Sequence, residues 1–241
     1  MKRNRDIVVR SGSSVFTHEV DCEGMKESSL KNLKQDLKLK GYAWIRGLID
    51  KDDVERAREA VRKFHNEKVG GTKGITYTGM KDITDHRDVL KVVESSEIVR
   101  IFETILNRKL SERKYLRLVG PNESTSPHSD AFFFKSKSMY TCWIPFGDVR
   151  ICDGPLAICE ASHLIDGYDD AIAFRDEIPW GYVSVANDVV WKTTEYKAGD
   201  VVIFDARTIH GSLRNESNKY RISCDTRWMP MKSNKCCETS K

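Results

Sequence analysis

Residues 198–212 read AGDVVIFDARTIHGS. A Gly-Asp turn leads into four apolar residues, Val201 to Phe204, and the stretch closes on His210, followed at once by a glycine that permits a tight exit. β-Branched and aromatic residues bounded by Gly and Asp mark a short strand. The same texture fills most of the chain after residue 111: KYLRLVG (114–120), AFFFKS (131–136), MYTCWIPFGD (139–148), GPLAICEA (154–161) and YRISCDTRW (220–228).

Upstream the period changes from two to 3.6. SSLKNLKQDLKLKG (28–41) sets Leu30, Leu33 and Leu37 on one helical face, with Ser28 or Ser29 to cap it and Gly41 to stop it. YAWIRGLI (42–49) is a short strand-like stretch, and Asp50 can cap a second helix striped by Val54, Ala57, Val61 and Phe64. A third helical region, one helix or two, covers 86–108 with Val89, Leu90, Val93, Ile98, Ile101, Phe102 and Ile105 on its apolar side. Helices first and strands afterwards predict an α+β, mainly β domain, its N-terminal helices buttressing an antiparallel sheet or barrel. No repeat or linker interrupts the sequence, so residues 1–241 read as one domain with an irregular lead-in (1–27) and a flexible tail (232–241).

Composition removes several classes. With 6 Pro and 15 Gly in 241 residues and 9% aromatics, the chain is neither collagen-like nor wholly disordered. No apolar run approaches the ~20 residues that span a bilayer, so no membrane segment is expected. The net charge of +4 is interspersed. The basic stretches Lys31–Lys40 and Arg56–Lys68 carry acidic residues between them and read as solvated helix faces, not as a nucleic-acid surface. Seven cysteines, an odd number without a CxxC pair, argue against a structural zinc site. MKRNRDIVVR lacks the apolar core of a secretory signal, so reduced thiols and a cytoplasmic location are expected.

The chemistry gathers around Pro127-His128-Ser129-Asp130. On an extended backbone residues i and i+2 point the same way, so His128 and Asp130 could grip one ion, with His210 as third ligand. Two imidazoles and a carboxylate form the facial triad of non-haem Fe(II) oxygenases, which leaves positions free for a chelating cosubstrate and O₂. His-x-Asp alone is weak, since His86-Arg87-Asp88 matches it too. That second copy opens a helical pattern, where i and i+2 diverge by about 200°, and reads as helix-start polarity. Eleven residues after His210, Arg221 on YRISC could clamp a carboxylate with its guanidinium fork, and Ser212 could add a hydrogen bond.

HSD (128–130), CWIPFGDV, DGPLAICEASH, AGDVVIFDARTIHGS and NESNKYRISC, in that order, resemble the phytanoyl-CoA hydroxylase-like Fe(II)/2-oxoglutarate dioxygenases over about Gly41 to Trp228. The resemblance implies a double-stranded β-helix (jelly-roll, cupin-like) core, with Fe(II) held by His128, Asp130 and His210. It further implies 2-oxoglutarate anchored by Arg221 with Ser212 assisting, and Trp143 and Thr141 lining the cosubstrate pocket. His163, in the turn ASH, matches a family histidine that is not a ligand. Halogenating relatives replace the carboxylate with a small residue. Asp130 is present here, so the expected outcome is O₂-dependent hydroxylation of a C–H bond of a small molecule, with release of succinate and CO₂. Desaturation, cyclisation and epimerisation are variants of the same class. A further arginine such as Arg117 or Arg227 would suit an anionic substrate. The competing reading is a non-catalytic jelly-roll that binds or senses a small molecule. It has no need of the triad and Arg221 together.

Overall fold

The structure, a computed structural model, describes residues 5–11, 14–20, 22–71, 73–106, 108–134, 138–164 and 190–230. Its helical part follows the apolar periodicity. Helix α1 (Leu33–Lys40) buries Leu33 and Leu37 and ends at Gly41, whose φ of +80° is the left-handed conformation that glycine takes without strain. A Cβ at Gly41 would also lie 2.6 Å from both His163 Nδ1 and Thr208 Oγ1, so the site excludes any side chain. Helix α2 (Lys51–Lys68) is capped by Asp50, whose carboxylate accepts from the Asp52 and Asp53 backbone N–H groups, and it buries Val54, Ala57 and Val61. The third helical region resolves into α3 (Lys81–Thr84), α4 (Arg87–Val93) and α5 (Ser96–Leu106). His86 sits at the start of α4 with its Nδ1 accepting from the Asp88 N–H, the helix-start role expected of it.

Among the described residues three sheets accompany the helices. β1 (Arg5–Ser11) and β2 (Ser14–Val20) pair with each other, antiparallel. A six-stranded sheet runs in the order β4 (Tyr42–Ile45), β10 (Val201–Asp205), β7 (Tyr140–Pro145), β12 (Arg221–Pro230), β6 (Arg108–Val119), β5 (Ile75–Tyr77), with every pair antiparallel. A four-stranded sheet runs β11 (His210–Ser212), β8 (Leu156–Cys159), β9 (Trp191–Thr193), β3 (Cys22–Gly24), its last pair parallel. Among the described residues no helix is long and apolar enough to cross a membrane.

Strand alternation sorts the six-stranded sheet into two faces. Ala43, Ile45, Leu116, Leu118, Cys142, Ile144, Val201, Ile203, Ile222, Cys224 and Trp228 join the core formed with the helices. Phe102 of α5 lies flat on Trp228, ring centroids 4.2 Å apart and planes 5° from parallel. The intervening residues Tyr42, Trp44, Trp143, Val202 and Phe204 pack instead with Leu156 and Ile158 of β8. The second face is therefore the one covered by the smaller sheet, and it carries the polar residues described below.

Three expectations are corrected. Residues 1–27 are not an irregular lead-in, since β1, β2 and β3 lie there; the β-branched runs DIVV and SVFT outweigh the polar average. AFFFKS is not a strand: Asp130–Phe134 is a helical turn, α6, opened by an acidic residue, the charge a helix start favours. Leu30 is 57% exposed, because α1 begins only at Leu33 and neither Ser28 nor Ser29 caps it. The polar stretch 165–195, which has the look of an irregular loop in the sequence, includes strand β9, and its part from 165 to 189 lies outside the described residues, as does the tail 232–241.

Candidate metal centre

His128 and His210 are joined by a two-residue antiparallel bridge, each backbone N–H donating to the other's carbonyl at 2.9 Å. The bridge sets the two imidazoles side by side at one end of β11, centroids 4.2 Å apart and planes tilted by 53°. Two residues beyond His128 the chain turns into α6, and Asp130 comes round on its first residue instead of on an extended strand. One ligand atom from each of His128, Asp130 and His210 lies within 4.8 Å of the others, and all three side chains are buried.

Each imidazole is already oriented. His128 Nδ1 lies 2.8 Å from the Ser126 carbonyl, and His210 Nδ1 lies 3.0 Å from the Thr208 carbonyl. A carbonyl only accepts, so Nδ1 carries the proton in both rings and the lone pair remains on Nε2, the arrangement of metal-binding histidines. Burial, with His210 alongside, pushes His128 down to about 3, and burial lowers His210 as well. Both rings are neutral near pH 7 and able to ligate. Burial works against the Asp130 carboxylate, yet the Arg227 guanidinium and the two imidazoles hold it well below the usual carboxylate range. Arg227 Nη2 donates to Asp130 Oδ1 at 3.0 Å, and the Thr141 hydroxyl donates to Oδ2. Each carboxylate oxygen keeps a lone pair for a cation.

Next to these ligands a cavity is lined by Arg117, Thr125, Trp143, Phe204, Ser212, Arg221 and Asp225 together with His128 and His210. Arg221 is 4% exposed, with Nη1 donating to Ser223 Oγ at 2.9 Å and Nε buried without a hydrogen-bond partner. Its guanidinium carbon lies 5.8 Å from the centre of the Trp143 ring. Burial lowers Arg221 to about 10, which leaves it cationic at neutral pH. A buried cation with an unmet N–H is costly, and a carboxylate entering the cavity would meet both needs. Ser212 Oγ accepts from the Thr125 N–H at 2.7 Å, so its own hydrogen remains to be donated.

Of the residues singled out in the sequence, His128, Asp130 and His210 come together, and Trp143, Ser212 and Arg221 share the cavity beside them. Thr141 turns its hydroxyl to Asp130. His163 spends Nε2 on the Lys38 carbonyl. The role of Arg227 at Asp130 and the pairing of Arg117 Nε with Asp225 Oδ2 at 2.6 Å were not foreseen. Their signal was present in R-I-S-C-D-T-R-W, where every second residue from Arg221 to Arg227 is polar while Ile222, Cys224 and Trp228 lie on the other face.

This buried pair of imidazoles with one carboxylate, on helix-backed antiparallel sheets, has the donor set of a non-haem metal centre. The model of the phytanoyl-CoA dioxygenase (PhyH) family matches residues 37–223, and the chain belongs to that family. A comparison with curated protein sequences gave no match. Among solved structures, the epimerase SnoN in complex with Fe3+, alpha ketoglutarate and nogalamycin RO superposes with a TM-score of 0.70 at 19% identity, over 83% of each chain. The carbocyclase SnoK from nogalamycin biosynthesis gives 0.64 at 17% identity, over 86% of this chain and 87% of its own. HygX from Streptomyces hygroscopicus, with nickel and 2-oxoglutarate bound, gives 0.63 at 12%, over 87% and 88%. At such identities the likeness is one of fold.

Proposed function

We propose that the chain is a single-domain, Fe(II)- and 2-oxoglutarate-dependent dioxygenase that hydroxylates a C–H bond of a small molecule. Its two facing sheets are read as a double-stranded β-helix. The observation that carries the proposal is the convergence, in one buried place, of His128, Asp130 and His210 within 4.8 Å, each imidazole presenting Nε2. His128, Asp130 and His210 would hold Fe(II). Arg221 and Ser212 would take the far carboxylate of 2-oxoglutarate, with Trp143 as a wall beside it. When bound, Fe(II) supplies the redox chemistry that couples conversion of 2-oxoglutarate and O₂ to succinate and CO₂ with oxidation of the substrate.

The protein's own part is positional. Ser126 and Thr208 fix the ring orientations. A cavity of ≈ 490 Å³ shares Arg117 and Thr125 with the metal-site cavity and offers room for the substrate, with Arg214 and the Glu123 carboxylate on its wall. The free thiols Cys142, Cys152, Cys159 and Cys224 accord with a cytosolic setting. The SnoN and SnoK structures are described as an epimerase and a carbocyclase, so the outcome on the substrate is a question for product analysis. Succinate should form from 2-oxoglutarate in the presence of Fe(II) and O₂, and more of it when a true substrate from a small-molecule library is supplied. Ligand binding from that library with no succinate at all would transfer the protein to the non-catalytic class.

A further inference from the structure

The cosubstrate reading uses Arg221 and makes no use of a second buried arginine on the same strand. Alternation turns Arg227 to the same face of β12 as Arg221, and it is 1% exposed. Its guanidinium carbon lies 5.1 Å from the centre of the Tyr115 ring and 5.4 Å from that of Phe134. Nη2 reaches Asp130 Oδ1 at 3.0 Å, while Nε and Nη1 are buried with no hydrogen-bond partner. Burying a guanidinium so incompletely paired is expensive, and as an ion pair alone it adds little to stability compared with well-packed apolar residues. Its geometry suggests another use.

Asp130 belongs to a helix of only five residues, so its backbone is not stiffened by a long element. Its carboxylate is fixed instead from the sheet. Arg227 on β12 and Thr141 on β7 are directly opposite in register, and they donate to different oxygens of the one carboxylate. Arg227 is steadied in turn by Asp225, whose Oδ2 lies 4.0 Å from Nη2 and accepts from Arg117 Nε at 2.6 Å. Two donors on neighbouring strands define the rotation of a carboxylate where one would allow it to swing.

We propose that Arg227 is a positioning residue for the metal, forming with Thr141 a two-point clamp that holds the Asp130 carboxylate turned toward the two imidazoles. This rests on the metal-centre reading given above. Loss of a partner that orients a metal ligand typically weakens metal affinity about 10- to 100-fold.

The test is a titration of the metal-free full-length protein with Co(II), a redox-inert stand-in for Fe(II), followed by its visible absorption. Wild type should bind one equivalent, and His128→Ala should lose it. Arg227→Met, checked for its fold by circular dichroism, should bind Co(II) about tenfold or more weakly. Arg227→Lys, which restores one donor and the charge, should recover most of the loss. A folded Arg227→Met protein that binds Co(II) as tightly as wild type, or more tightly, would overturn the positioning role. Should Arg227→Met fail to fold, Thr141→Val removes only the other donor and must still weaken Co(II) several-fold; unchanged binding there would overturn the clamp. Wild-type protein that binds no Co(II) would instead bring down the metal-centre reading itself, and the clamp with it.

Discussion

Lys114 shows how single residues in this protein bind sheet to helices. Its side chain is 10% exposed, and its ammonium lies 3.2 Å from Asp85 at the end of α3 and 3.1 Å from Glu94 at the end of α4. Burial alone would lower its pKa, but the Glu94 and Asp85 carboxylates outweigh burial and raise it. A lysine whose folded pKa lies above its unfolded value contributes stability that is fully present below the unfolded pKa, here about 10.5, and is lost as pH rises through the folded one. Lys114→Met should cost about 1–2 kcal/mol near neutral pH, discounted for the part-exposed carboxylates. The gap between variant and wild type in urea denaturation should hold up to about pH 10 and narrow above it. An equal gap at pH 8 and pH 11 would remove Lys114 as its source. At this same scale the ligand types were legible, since the identities of His128, Asp130, His210 and Arg221 stand in the sequence. What holds them was not. The bond from Arg227 to Asp130 spans 97 positions, and the Ser126 and Thr208 carbonyls that orient the imidazoles are backbone atoms with no residue code.

Among the elements, helices α2, α4 and α5 were readable because an amphipathic stripe repeats over several turns, whereas α6 was not. Asp130–Phe134 is a single turn with three phenylalanines in succession, and a short apolar run fits a strand and a buried helix equally well. Asp130 still comes to lie near His128, because the Ala131 N–H bonds to the Ala206 carbonyl at 2.8 Å and pins the turn beside the end of β10. The strands at the N-terminus were missed for the opposite reason: charged residues flank each β-branched run and lower the average that was read. How the helices bear on the sheet is open to a direct check. Phe102 of α5 is fully buried against Trp228, at the helix-facing side of the strand whose other face carries Arg227. Phe102→Ala should destabilise the protein by about 3–5 kcal/mol. Thermal or urea unfolding would measure it, and a loss below 1 kcal/mol would contradict the stacked packing of α5 on β12.

At the scale of the whole molecule, the six-stranded sheet divides two environments. One face meets the helices and is mainly apolar from Ala43 to Trp228; the other meets the smaller sheet and turns Arg117, Arg221, Asp225 and Arg227 toward the metal ligands. Stability is concentrated on the first face. On the second, the charges are placed in pairs, Arg227 with Asp130 and Arg117 with Asp225. Arg221 differs from both: among the described residues no carboxylate pairs with it, and it stands cationic on the cavity wall with its Nε unbonded. The account turns on that vacancy in its hydrogen bonding being filled by 2-oxoglutarate while the triad holds Fe(II). The direct measurement is an anaerobic titration of metal-free protein with Fe(II) and then 2-oxoglutarate, watching for the visible metal-to-ligand charge-transfer band of the chelate. The band should appear in wild type, and Arg221→Ala should need about 10- to 100-fold more 2-oxoglutarate to develop it, the worth of a charge-assisted pair. Folded wild-type protein without the band, or an Arg221→Ala protein that develops it at the same concentration, would contradict the account.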